Sequence, residues 1–188
     1  MTEEETLRLK DLLVKVKKEE RGWIPKQCLG EFFDLTVTAF FELVFYRERE
    51  GRYEYLLAYR KDEHWDGFHV MGGMLQPGFP ADPVGICQLL TNKEFGEHGG
   101  SLGVTVKSVR IISSLNWSWH PWCHPYATVC LVEWEGAITE TALFRFFALD
   151  ELPPMIPNHR EYLFQCEQVL RTGKMLVFTP DAPLGKSE

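Results

Sequence analysis

The chain has 188 residues, 45% of them hydrophobic and 25% charged, with a formal net charge of −7. One domain with a substantial core accounts for that length, and the excess of acid leaves no basic footprint for nucleic acid. No apolar run approaches the roughly 20 residues that span a bilayer, and Met1-Thr2-Glu3-Glu4-Glu5 lacks the basic start and apolar stretch of a secretory signal.

Taken in order, residues from about Glu4 to Glu20 place Leu7, Leu9, Leu12, Leu13, Val14 and Val16 among charges. This predicts an amphipathic helix with acids at its start and lysines at its end, as the helix dipole favours. Gly22 and Pro25 end it, and a short helical segment near Leu29 to Asp34 leads into the first strand. Val37 to Arg47 and Tyr53 to Arg60 are rich in β-branched and aromatic residues and predict two strands, joined by a polar hairpin loop over Glu48 to Arg52. Phe68 to Met71 predicts a third, short strand. Asp82-Pro83 is a helix start, with an acid at the cap and a proline where a missing N–H costs nothing. That helix is expected to run from Val84 to Phe95 and to close on Gly96 as a left-handed C-cap.

Val104 to Ser114, Tyr126 to Trp134 and Ala142 to Ala148 predict further strands, and Asp150 to Pro154 a turn. A closing helix is expected over Asn158 to Arg171, capped by Asn158 and stopped at Gly173. The order implies an α/β/α sandwich over 35–175, with a helical extension over 1–34 and a tail over 176–188. The five cysteines, Cys28, Cys87, Cys123, Cys130 and Cys166, are odd in number and scattered. They fit the reduced thiols of a cytoplasmic protein better than a disulfide framework.

The chemistry concentrates at Trp65-Asp66-Gly67-Phe68-His69-Val70-Met71-Gly72-Gly73 and, twenty residues on, at Lys93-Glu94-Phe95-Gly96. A glycine pair ending an apolar strand lets backbone approach a ligand closely. A carboxylate brought back beside it suits a magnesium ion on a phosphate chain. This layout resembles the Nudix hydrolases, whose signature reads G-x5-E-x7-R-E-U-x-E-E-x-G-U, with U apolar.

The resemblance implies an α+β fold, a Nudix-like α/β/α sandwich with a mixed central sheet. It also implies a hydrolase of a nucleoside diphosphate linked to a sugar or ribose, using Mg2+ or Mn2+. With Gly73 as the first glycine, Phe79 stands at the first glutamate position and Met71 where a proline is usual. Two registers follow. One aligns Lys93-Glu94-Phe95-Gly96 with E-E-x-G, puts Leu89-Leu90 at the R-E positions and keeps Glu94 alone of the acids. The other aligns Lys93-Glu94-Phe95-Gly96-Glu97-His98-Gly99-Gly100 with R-E-U-x-E-E-x-G and adds Glu97. The first is preferred, because Asp82 to Gly96 then has both a start and a stop. In layout it is similar to the GDP-mannose mannosyl hydrolase branch. By that likeness Arg60, twelve residues before Gly72, faces the diphosphate, and Glu42 is the helpful acid on the first long strand. The branch's histidine base has no counterpart in Thr139-Glu140-Thr141-Ala142.

The expected site is therefore Gly73, Glu94 and Glu97 around the metal, with Glu94, Arg60 and Glu97 catalytic. Arg60, Glu42, Gly72, Gly73, Trp117 and Trp119 would bind substrate. Each residue also has a plainer role: Glu94 as a solvated acid at a helix end, Arg60 as an exposed strand end. Trp117, Trp119 and Trp122 suit stacking on a base or sugar, and equally a dimer interface or a cover for the sheet. His120, Cys123 and His124 fall short of a four-ligand zinc site. His159 reads as a residue of the last helix's first turn, with a base in the cleft as the alternative. The partners implied are a small nucleoside diphosphate derivative and a second copy in a homodimer, with neither nucleic acid nor membrane. The competing function is a Nudix-fold protein with impaired catalysis, serving as a nucleotide-binding or protein-interaction module.

Overall fold

The computed structural model describes residues 2–18, 37–63, 65–76, 78–97, 103–116 and 124–174. Helix α1 spans Glu3–Lys18. It is followed by strands β1 (Val37–Arg49), β2 (Arg52–Lys61), β3 (Asp66–His69) and β4 (Met71–Met74), then helix α2 (Pro83–Glu97). Strands β5 (Thr105–Asn116), β6 (His124–Glu135) and β7 (Phe144–Ala148) lead through a 3-10 turn at Leu149–Glu151 into helix α3 (Pro157–Thr172).

β1 is the axis of the sheet. Its residues Val37–Phe45 run parallel to β6, its residues Phe40–Leu43 pair antiparallel with β4, and its end, Tyr46–Arg49, pairs with β2. The order is β3-β2-β1-β6-β5, with β4 on β1 and β7 on β2. This is a mixed sheet, as expected. The β1–β2 turn is tighter than the predicted loop: Arg49 pairs directly with Arg52, and Glu50 and Gly51 take φ of 54° and 76°. Two central residues with positive φ match the twist of a two-residue hairpin.

Side-chain alternation divides the core between the two faces of the sheet. Phe41, Leu43 and Phe45 of β1 pack with Leu56, Ala58, Cys130 and Val132 against Ile86, Cys87, Leu90 and Phe95 of α2. Val44, Tyr55, Leu57, Val129 and Leu131 pack against Tyr162, Leu163, Cys166 and Val169 of α3. Polar links set each helix in place. Gln88 of α2 donates to the Val104 carbonyl and accepts from Val106 N–H, at 3.1 and 2.7 Å. On the other face Tyr55 donates to Glu167 at 2.5 Å and Ser113 donates to Gln165 at 2.8 Å.

Among the described residues Cys87, Cys130 and Cys166 are free and buried. A hydrogen bond with Cys87, and then burial, push the Cys130 thiol up, and burial pushes up Cys166. These are inert core thiols. α1 opens with a capping box, Glu5 N–H to Thr2 Oγ1 at 3.2 Å and Thr2 N–H to Glu5 at 2.6 Å. Its Leu7, Leu9, Leu12, Leu13 and Val14 are all exposed. The expected helix over 29–34 lies outside the described residues.

Three expectations are corrected. The single strand over Phe68–Met71 is two strands, β3 on β2 and β4 on β1. The break falls at Val70, whose N–H leaves the sheet and donates to His159 Nδ1 at 2.9 Å. Gly96 does not close α2, which continues to Glu97, and Gly96 does not take positive φ. Phe95, 2% exposed and packed edge-on to Phe45 at 6.2 Å, holds that last turn in place. Its burial outweighs the ~0.5–1 kcal/mol that a mid-helix glycine costs. Asn158 is not the cap of α3; the N-cap is Ile156, with Pro157 in the first turn and no side-chain cap. The other signals hold: Asp82 Oδ1 accepts from Gly85 N–H at 2.8 Å, and Gly173 ends α3 at φ 67°.

Candidate active site

Glu42 lies in the middle of β1, directly opposite Gly72 of β4. By alternation it shares the α3 face with Val44, and only 6% of it is exposed. Gly72 makes room for it, since a Cβ there would stand 2.5 Å from both Glu42 Oε2 and the Phe41 carbonyl. His159, 4% exposed in the first turn of α3, brings Nε2 to 3.9 Å from Glu42 Oε2. Its tautomer follows from its other nitrogen: Nδ1 accepts the Val70 N–H, so the neutral ring carries its proton on Nε2, toward Glu42. His69 flanks the pair, its ring 6.0 Å from that of His159 and its Nδ1 2.6 Å from the Val70 carbonyl.

Burial raises the Glu42 carboxyl well above the ordinary carboxylate range; the charge of Glu94 raises it further, and Arg60 opposes both. Glu94 and Arg60, from α2 and β2, thus lie within electrostatic reach of Glu42. Gly73 joins α2 to this corner, since a Cβ there would come 2.8 Å from Leu90 Cδ2, one helical turn before Glu94. Arg60 Nε donates to Asp62, whose Oδ1 accepts the Trp65 N–H at 2.9 Å. The turn after β2 therefore orients the guanidinium.

Of the expected set, Glu42 stands opposite Gly72, Gly73 lies against Leu90 of α2, and the charges of Glu94 and Arg60 act on Glu42. The side chain of Glu97 and the whole of Trp117 and Trp119 lie outside the described residues. Glu140, at the place where the similar branch has its base, pairs with Arg47 at 2.9 Å and accepts the Phe146 N–H at 3.2 Å, a structural duty. His159 stands in the first turn of α3, as read from sequence, and its Nε2 comes 3.9 Å from Glu42 Oε2, a contact the sequence did not show. Lys93 was aligned with an acidic position and given no part, yet it lines a cavity. That cavity, of about 580 Å³, is walled by Met74, Gln76, Phe79, Leu89, Leu90 and Lys93.

Among the described residues no three acidic, histidine or cysteine side chains group closely enough to hold an ion by themselves. The donor set nevertheless fits one hard cation. Magnesium is commonly held by one or two carboxylates and completed by substrate phosphates. The charge of Glu94 raises the Glu42 carboxyl, a repulsion that a nearby cation relieves.

The architecture is a mixed sheet with a helix on each face. The sequence itself matches no family model and no curated protein. Solved structures do match in three dimensions. The Nudix domain of Shewanella oneidensis NrtR, complexed with ADP ribose, superposes with a TM-score of 0.55 at 12% identity, covering 90% of this chain and 99% of that one. A UDP-X diphosphatase gives 0.51 at 15% identity, over 93% and 87%. The Escherichia coli ORF135 protein gives 0.51 at 15%, over 74% and 94%. At these identities the likeness establishes the fold. Among the described residues no helix is long and apolar enough to cross a membrane.

Proposed function

We propose that this chain hydrolyses a nucleoside diphosphate linked to another group, of the sugar or ribose type, with Mg2+ or Mn2+ as cofactor. The observation that carries this reading is the meeting of Glu42, Glu94 and Arg60 around Gly72 and Gly73. The comparisons lend support of a coarser kind, since one similar Nudix domain holds ADP ribose and another similar protein is a UDP-X diphosphatase.

Glu94 and the Gly73 carbonyl would hold the ion, with Glu97 as a further acid. Its contribution would be to polarise a phosphoryl oxygen and to lower the pKa of a bound water. Arg60, oriented by Asp62, offsets charge on the diphosphate. Glu42, fixed between Gly72 and His159, is an acceptor for a substrate hydroxyl. Trp117 and Trp119 are assigned to stacking on the base or sugar. A homodimer remains part of the reading, with the exposed apolar side chains of α1 as its surface.

The test is product formation from a panel of nucleoside diphosphate sugars, ADP ribose and nucleoside triphosphates, with Mg2+ or Mn2+ and with EDTA as control. Metal-dependent turnover that falls at least ~100-fold in Glu94→Gln is the expected result, the scale of losing one preorganised charge contact. No turnover across the panel overturns it. The competing reading, a binding module without turnover, is favoured by Phe79, Leu90 and Lys93 standing at positions where the resembled signature carries acids. It predicts thermal stabilisation by ligand in the absence of any product.

A further inference from the structure

The 580 Å³ cavity opens between the β4–α2 connection, which contributes Gln76 and Phe79, and the side of α2 that carries Leu89, Leu90 and Lys93. Its volume falls among small-molecule sites, which run from ~300 to 1,000 Å³. Its chemistry is lopsided. Met74, Phe79, Leu89 and Leu90 are apolar, Gln76 is the one polar neutral residue of the lining, and Lys93 is its one charge. A sugar buried here would leave most of its hydroxyls without partners, which is costly. An apolar ring would instead meet Phe79 and three aliphatic or thioether side chains.

The position of the cavity supplies the second half of the inference. Leu90 is both a wall of the cavity and the side chain against Gly73, and Lys93 adjoins Glu94 in sequence. The cavity therefore lies beside the turn of α2 that carries Glu94 and against the strand that carries Gly73. A lysine ammonium is a compact point charge suited to a phosphate oxygen.

We propose that this cavity binds the apolar, ring-bearing body of a phosphate ester, with the Lys93 ammonium on its phosphate. The inference deepens the proposed function and rests on that reading for the phosphate end. It adds an aromatic or otherwise apolar part to the group linked to the diphosphate.

Calorimetric titration of the full chain in EDTA tests it, with 1-naphthyl phosphate, 1-naphthol, inorganic phosphate and UDP-glucose as probes. The expected result is that 1-naphthyl phosphate binds at least tenfold more tightly than any of the other three. Lys93→Met should weaken 1-naphthyl phosphate at least tenfold and leave 1-naphthol unchanged. Leu89→Gln should weaken both naphthyl compounds and leave inorganic phosphate unchanged. Thermal melts would establish that both variants fold. Equal binding of 1-naphthyl phosphate and inorganic phosphate overturns the proposal, as does binding indifferent to both substitutions. Because the readout is binding without metal, a chain that turns over nothing leaves this inference standing. A chain that hydrolyses UDP-glucose but ignores naphthyl phosphate sinks this inference and leaves the hydrolase reading intact.

Discussion

Helix α3 buries Tyr162, Leu163, Cys166 and Val169 completely, whereas α2 buries Ile86, Cys87, Leu90 and Phe95 yet leaves Val84 and Leu89 36% and 41% exposed. α3 also has an exposed Phe164, but the Arg160 guanidinium lies over that ring at 5.8 Å. The two helices lie on opposite faces of one sheet and do different work. α3 is amphipathic in the ordinary way and, besides setting Gln165 and Glu167 on the sheet, brings His159 to Glu42. α2 is apolar on two sides, one turned to the core and one to the cavity. Of the exposed Val84 and Leu89, Leu89 lines the cavity together with Leu90.

The largest effect that would sharpen this contrast is truncation at matched core leucines. Leu163→Ala should cost between 2 and 5 kcal/mol, at about the upper part of the range for buried Leu→Ala changes, because the hole is sealed between α3 and the sheet. Leu90→Ala, though equally buried, opens onto the existing cavity and should fall near ~2 kcal/mol. Denaturant midpoints at unchanged m-value would measure both. Equal losses would mean that the α2 side is as tightly closed as the α3 side, and the comparison would fail.

The next effect lies between the helices, at the glycine pair. An added Cβ at Gly72 meets a backbone carbonyl as well as the Glu42 carboxyl, and neither can withdraw cheaply. Gly72→Ala should cost ~1–3 kcal/mol, the range of overpacking. At Gly73 the added atom meets only the free end of Leu90, which can turn aside into the cavity. Gly73→Ala should be milder by at least ~1 kcal/mol on the same scale. A thermal melt of each variant decides it, and the reverse order would show that α2, not β1, is the rigid wall.

Much of this was legible in sequence where the cause is local. The Asp82-Pro83 start, the Gly173 stop and the alternation of β1 all depend on residues a few positions apart. The fold class was legible in the order of strands and helices, and the site residues Gly72, Gly73, Glu42, Arg60 and Glu94 were chosen through the resemblance. What was not legible depends on long-range partners. Val70 breaks its strand for a nitrogen 89 residues away, and that same bond sets the tautomer that points His159 at Glu42. Gly96 continues its helix because Phe95 is locked against Phe45 and Phe144. Leu89 looks like any core leucine until the core is seen to lie on the other side of the helix.

Leu89 therefore carries the smallest expected change in stability and the most pointed test of the contrast between the helices. Gln has nearly the helix propensity of Leu, and a side chain 41% exposed gives up little on replacement. Leu89→Gln should shift unfolding by no more than about 0.5 kcal/mol, as surface changes do. On α3 a comparable apolar-to-polar change at Val169, which has no exposure, would place an amide in the core without a partner. If Leu89→Gln destabilised the chain as a core change does, its apolar side would be structural, and α2 would be a second α3 rather than a helix that keeps one face for a ligand.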